Sequence, residues 1–206
     1  QRQMCIRDRL FILPSQKQGP GSEVKLVSRR PFFGWWEYYL ENPIYTFPTN
    51  QSWAGSALTN TKGEILGIGS LFIRDATSPG IFSPGNMFVP VNLLKPILQD
   101  LKKYGHRKSD LKPYIGLSPI ENKGKIIVSR VSIDGPSDVA GIKKNDVIIS
   151  INGNLIKSLQ NFYLYLWNIG KSEALIDIIV LRDGKKINFK VRSKDRMNYY
   201  IKNKTY

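Results

Sequence analysis

The sequence predicts a mainly β chain built as two domains, and three observations carry that reading. From Glu23 onward the apolar residues fall in short runs rich in β-branched and aromatic side chains, separated by Gly, Pro, Ser and Asn. Residues 52–70 read as a loop of small residues, a strand, a Lys62-Gly63 turn and a second strand. Residues 135–153 read as a short helix, a strand of apolar residues and an Asn152-Gly153 hairpin. A chain of 206 residues with an apolar fraction of 41% can pack two cores, since domains commonly run to about 100 residues each.

Charge and cysteine usage narrow the function classes. Thirty-one basic against sixteen acidic side chains give a net charge of +15. Such a balance suits nucleic acid or an anionic membrane surface. The basic residues are spread along the chain without a long block, so nucleic acid is not an expected partner, while contact with a membrane surface stays open. Cys5 is the only cysteine, so no internal disulfide and no zinc-ligand spacing exists, and neither a metal nor a cofactor is expected. The longest apolar runs, such as residues 178–181, are strand-sized, so no membrane-spanning helix is expected. No signal peptide is visible, and because the chain starts at Gln1 its natural N-terminus is expected to lie upstream.

In chain order, residues 1–9 have neither periodicity nor capping logic and read as a non-native or disordered segment. Residues 10–14 suit a strand, and residues 15–22 a Gln/Gly/Pro loop. Residues 24–28, 32–40 and 43–48 are β-like, their aromatic density pointing to packing between strands. The hairpin of residues 58–73 follows, then a Pro/Gly/Ser loop at 75–85 and a strand at 86–91. Residues 91–105 predict a helix with Asn92 as N-cap, Leu93, Leu94, Ile97, Leu98 and Leu101 on one face, and Gly105 past its end. Residues 106–112 are a polar, basic linker.

The stretch at residues 52–70 resembles the G-N-S-G-G-P-L…G-x-v-i-G-i segment of the trypsin-like serine proteases of the HtrA (DegP-like) family, where the loop carries the nucleophile and the oxyanion hole. With Leu58 on the motif's Leu, Gly55 and Ser56 fall on Gly-Gly, Ala54 on the nucleophilic Ser and Trp53 on the Asn. A methyl group cannot attack a carbonyl, so the resemblance implies a protease fold whose nucleophile position is replaced, with Trp53 and Gly55 in the oxyanion loop. Taking Ser56 as nucleophile instead displaces Leu58 and the hairpin by two residues. Residues 86–91 are similar to the family's G-F-A-I-P strand. Residues 10–105 therefore resemble the second half of a chymotrypsin-like β-barrel protease domain. The family's catalytic His and Asp belong to the first half. His106, the sole histidine, follows the loop rather than preceding it and reads as a solvated linker residue.

Residues 113–195 resemble the PDZ domain attached to such proteases, a β-sandwich-like fold with two helices. Tyr114, Ile115, Gly116 and Leu117 match its carboxylate-binding loop, and residues 117–120 the strand that pairs with a bound peptide. Pro119 removes one N–H donor from that strand. Residues 135–153 follow the G-P-A-x-x-A-G-L-x-x-G-D-v-I-x-x-i-N-G pattern, with Asn145 in place of a Gly and Asp146 able to cap the turn before a strand at 147–151. Ser158 and Gly170 bracket the groove-lining helix, whose Phe162 and Leu166 are the residues expected at the peptide pocket. Residues 174–191 form a closing hairpin with its turn at Arg182 to Lys185, and residues 196–206 a frayed tail.

The resemblance implies an HtrA-like serine endopeptidase of protein quality control, catalytically inactive as written, with a PDZ domain that binds unfolded proteins or protein C-termini. It allows a homo-oligomer and places the protein in the periplasm or cell envelope. The alternative is a non-enzymatic PDZ scaffold. A third reading, a basic protein on an anionic envelope or nucleic acid, is distinguished by its salt dependence.

Overall fold

A computed structural model describes residues 9–14, 21–34, 38–108 and 111–202. The expected N-terminal segment lies almost wholly outside them. The chain divides into two compact units, one comprising Gln1–Phe32 and Leu40–Lys103, the other Phe33–Tyr39 and Tyr104–Tyr206.

The strands of the first half are β1 (Arg9–Leu13), β2 (Ser22–Ser28), β3 (Phe32–Gly34), β4 (Tyr38–Leu40), β5 (Ile44–Phe47), β6 (Ala57–Asn60), β7 (Ile65–Ile73) and β8 (Gly85–Pro90). Strands β3 and β4 form a two-stranded sheet of their own; the other six close into an antiparallel barrel in the order β1-β2-β5-β8-β7-β6. Closure runs through β1 and β6, with Ile12 opposite Leu58. Alternate residues point inward, and Leu10, Ile12, Val24, Leu26, Ile44, Leu58 and Phe88 fill the barrel. Two glycines are set by close approach. A Cβ on Gly69 would fall on the Trp53 carbonyl oxygen, and one on Gly85 on that of Thr46.

The helix expected over residues 91–105 is broken. Two 3-10 turns, Val91–Leu93 and Lys95–Ile97, precede a short α1 (Leu98–Tyr104). Pro96 brings no N–H and its ring crowds the preceding turn; Leu94 N–H and Ile97 N–H bond back three residues, to Val91 and Leu94 carbonyls. Pro90, not Asn92, stands at the N-cap, without a side-chain bond. Leu93 and Leu94 of the expected apolar face are exposed. Gly105 does adopt the left-handed conformation expected of it (φ +73°).

The second unit carries β9 (Leu117–Asn122), β10 (Lys125–Val131), α2 (Pro136–Ala140), β11 (Val147–Ile151), β12 (Asn154–Leu155), α3 (Leu159–Trp167), β13 (Leu175–Arg182), β14 (Lys185–Arg192) and α4 (Arg196–Lys202). The sheet order is β14-β13-β11-β10-β9, with β12 added to β11. Ile115, Leu117, Ile126, Val128, Ile142, Ile148, Phe162, Leu166, Ile178 and Val180 belong to its core. The punctuation follows from the residues. Pro136 opens α2, and Gly141 ends it at φ +94°. Asn145 takes a positive φ of 74°, which Asn tolerates where the resembling pattern has Gly. Asn152 and Gly153 both have positive φ, as a tight hairpin requires. Ser158 caps α3 by accepting from Asn161 N–H at 3.1 Å. The segment expected to be a frayed tail instead begins with α4.

Candidate functional sites

The loop between β5 and β6 carries Ala54, the residue expected at the nucleophile position. Asn86, buried at the start of β8, anchors it: Asn50 N–H donates to Asn86 Oδ1 at 2.7 Å, and Asn86 Nδ2 donates to the Asn50 carbonyl at 3.3 Å. Asn50 Oδ1 in turn accepts from Ser52 N–H at 2.7 Å. The loop then presses on β7. Gly55 N–H donates to the Gly69 carbonyl at 3.0 Å, and Gly69 N–H to the Ser56 carbonyl at 2.8 Å. Ala54 and Gly55 are exposed, and Trp53 is half-buried. Ser56 is fully buried, and its hydroxyl donates to the Trp53 carbonyl at 2.7 Å.

This geometry has chemical consequences. An oxyanion hole needs main-chain N–H groups aimed at the developing charge. In this loop the N–H groups of Ser52 and Gly55 are engaged by Asn50 and Gly69. The Ser56 proton is directed at a carbonyl rather than at a base. His106 Nδ1 lies 2.9 Å from the Tyr104 carbonyl, two residues away in its own segment. Behind the loop, Arg30 stacks 4.3 Å from the Tyr45 ring centre, donates to the Asp75 and Ala76 carbonyls, and pairs with the Asp75 carboxylate at 3.2 Å. Burial pushes the Tyr45 hydroxyl up to about 12, against the opposing pull of Arg30. Neither Asn86 nor Arg30 stood out in the sequence; an Asn at the start of an apolar strand was the available signal for the first.

The second candidate site is the edge of the second unit's sheet. Strand β9 lies last in the order, paired with β10 on one side only. The loop leading into it, Tyr114 to Leu117, turns at Gly116 with φ +72°. Its inner carbonyls are tied down: Ile115 accepts from Ser137 N–H and Gly116 from Ser132 N–H. Tyr114 exchanges two main-chain hydrogen bonds with Lys194, and its hydroxyl donates to Ser132 Oγ at 3.1 Å. Pro119 faces Val128 across the strands. Val128 spends its N–H on Asp146 and its carbonyl on Asn145. Pro119 therefore turns its main chain away from β10, and its missing donor is missing from the open edge.

Helix α3 flanks this edge. Its first N–H, on Leu159, donates to Glu121 Oε2 of β9 at 3.0 Å. Phe162 and Leu166, expected at the pocket, are 0% and 1% exposed and join Ile115 and Leu117 in one core cluster. They are core residues of the unit, and the half-buried side chains of the same helix packed on that core are Leu159 and Trp167. Tyr163 is buried too, donating its hydroxyl to the Gly34 carbonyl at 3.1 Å, while Tyr39 packs against Trp167.

The unit's strongest polar lock is Asp146. Arg182 Nε and Nη2 donate to its two oxygens at 2.7 Å each, and Lys143 N–H at 2.8 Å. Burial of the carboxyl opposes ionisation, but the Arg182 and Lys143 hydrogen bonds outweigh it and hold the group below its usual range. The sequence marked Asp146 as a turn cap and left Arg182 as a turn residue.

A β-barrel of the chymotrypsin type and a sheet with a loop-and-groove edge together describe a protease-type domain and a peptide-binding domain. Comparison with known proteins agrees. Residues 113–192 match the PDZ domain family. The chain is 28% identical over 159 residues to the serine protease Do-like HtrA of Bacillus subtilis, covering 68% of this chain and 34% of that protein. It is 30% identical over 159 residues to the serine endoprotease DegS of Salmonella typhimurium, covering 69% of this chain and 42% of that one. The serine endoprotease of Yersinia pestis has a similar fold (TM-score 0.56, 23% identity, 92% of this chain and 62% of that one). So does the HtrA-type protease AlgW with decapeptide (TM-score 0.56, 20% identity, 93% and 61%). The chain is a relative of the HtrA-like serine proteases and carries a PDZ domain. It spans between a third and about two fifths of the length of these two curated relatives.

Proposed function

We propose that this chain is the peptide-capturing part of an HtrA-like protein, and that its protease-type barrel is catalytically silent. The observation that carries the first half is the one-sided pairing of β9, placed directly after the Gly116 turn. A C-terminal peptide would add to β9 as a further strand, its carboxylate at the Tyr114–Leu117 loop and its last side chain toward Phe162 and Leu166. The solved relative AlgW is described with a decapeptide, which supports a peptide as ligand. The second half rests on Ala54 at the nucleophile position and on the engaged hydroxyl of Ser56. Misfolded proteins and exposed C-termini are the partners this reading implies. Some relatives are named as probable periplasmic endoproteases, which supports a place in the cell envelope, where a net charge of +15 also favours anionic surfaces. The same β9 edge would serve a protein that only scaffolds.

The test is fluorescence anisotropy with a labelled peptide ending in an apolar residue, in free-acid and amidated forms, beside a casein digestion assay. The expected result is saturable binding of the free acid, at least tenfold weaker binding of the amide, and no digestion. Equal binding of both forms would overturn carboxylate capture, and digestion by the unaltered chain would overturn the silent barrel.

A further inference from the structure

Beside the Tyr114–Leu117 loop, on the outer face of the β9–β10 sheet, lies a cavity of about 280 Å³ lined by Tyr114, Leu117, Ser118, Arg130, Ser132, Arg196 and Tyr200. Two guanidinium groups and several hydroxyls face it, and no carboxylate is among its lining residues. Helix α4 forms its far wall. Arg196 sits 5.7 Å from the Tyr114 ring centre and 5.6 Å from that of Tyr200, and the Tyr199 hydroxyl fastens the helix to the Ile133 carbonyl at 2.6 Å. The opposite wall is a cross-strand row, with Ser118 of β9 directly opposite Arg130 of β10.

Strand geometry decides what would enter. Side chains alternate along β9: Leu117 and Pro119 are buried on the core face, and Ser118 stands between them on the outer face. A peptide added antiparallel to β9 obeys the same alternation, and directly opposed residues share a face. If its last residue lies beside Leu117, that side chain points to the core. The penultimate residue then lies beside Ser118 and extends the row Arg130–Ser118 outward, over the cavity.

We propose that this cavity reads the penultimate side chain of the captured peptide and selects a carboxylate, Asp or Glu. This rests on the reading of β9 as the peptide-binding edge and adds the substrate class. Carboxylate fits the chemistry present: planar guanidinium donors on two walls and Ser118 and Ser132 hydroxyls between them. An amide side chain would satisfy the hydroxyls but leave the charge uncompensated, and a Lys side chain would be repelled.

The experiment uses the full chain and three labelled free-acid peptides identical except for Glu, Gln or Lys at the penultimate position, with an amidated Glu peptide as control. The expected order is Glu over Gln by about five- to tenfold, then Lys, with the Glu advantage shrinking as salt rises. In the double variant Arg130→Gln with Arg196→Gln, the Glu advantage should vanish while the Gln peptide binds as to the parent. Equal binding of Glu and Gln peptides, with the amidated control still weak, would overturn the inference and leave the groove reading standing. A Glu advantage surviving in the double variant would also overturn it. Loss of the Gln peptide in the double variant, to the same degree as the Glu peptide, would assign the arginines to the fold instead. Failure of every free-acid peptide would bring down the groove reading and this inference together.

Discussion

Asp146 and Arg182 together join three parts of their unit: the turn at Lys143, the end of α2 and strand β13. The two Asp146 oxygens are shared between Arg182 and Lys143 N–H, and Arg182 also donates to the Gly141 carbonyl at 2.9 Å. Asp146→Ala should cost about 3 kcal/mol, because it leaves a guanidinium and a main-chain donor facing a void. A urea titration of the parent and the variant measures it. The carboxyl is held below its ordinary range in the folded state. Its contribution is therefore present above the unfolded value of about 3.9 and is lost as pH falls through the folded one. The parent should lose stability in acid with a steeper slope than the variant. Tyr45 has the opposite dependence. Its hydroxyl is raised from 10.0 to about 12 by burial. Stability should fall as pH rises from about 10 toward 12, where the unfolded chain loses that proton first, and Tyr45→Phe should flatten the slope.

These two residues show where sequence reading stops. Asp146 was legible as a cap because its partner lies three residues away, a distance set by local chain geometry. Arg182 was not, because it arrives from a strand 36 residues further on. Gly69 was legible as part of a hairpin, but only the closed barrel reveals that the Trp53 carbonyl lies where its Cβ would stand. Phe162 and Leu166 were expected at a peptide pocket and are fully buried in the unit's core; helical periodicity marks the face that turns inward without separating core from pocket wall.

At the scale of elements, Pro119 bears on the proposed peptide capture. It subtracts one donor from the edge of β9, opposite Val128 whose polar groups are engaged elsewhere. Pro119→Ala should tighten binding of a free-acid peptide about three- to tenfold, the value of one net hydrogen bond; the same anisotropy titration reads it. In the barrel, α1 and its preceding turns illustrate a different lesson. An apolar stripe at helical spacing announced one long helix, yet Pro96 divides it into turns of different pitch, and the stripe no longer falls on one face. Helix α4 lay in a polar segment with no apolar stripe. Its order comes from tertiary contacts, Tyr199 with Tyr114 at 5.1 Å among them, which a local pattern does not carry.

For the molecule as a whole, restoring one atom should not restore chemistry. Ala54→Ser in this 206-residue chain supplies a hydroxyl, but the only histidine is His106, occupied with the Tyr104 carbonyl. Casein digestion by the variant should stay at background, since a serine without an oriented imidazole is a poor nucleophile. Activity in the variant would require a base supplied from outside the described residues.

The gap that Pro119 leaves has one more effect, on what the chain does with copies of itself. The barrel closes on itself and offers no outer strand. Strand β14, at the other end of the PDZ sheet, bears Lys185, Lys186, Lys190 and Arg192. Strand β9 has an open edge, and its ladder is interrupted at the third residue. A short tail can seat before the interruption; a second β9 laid along it would meet a blank where a bond should be. The edge open to a short peptide is thereby a poor template for a fibre.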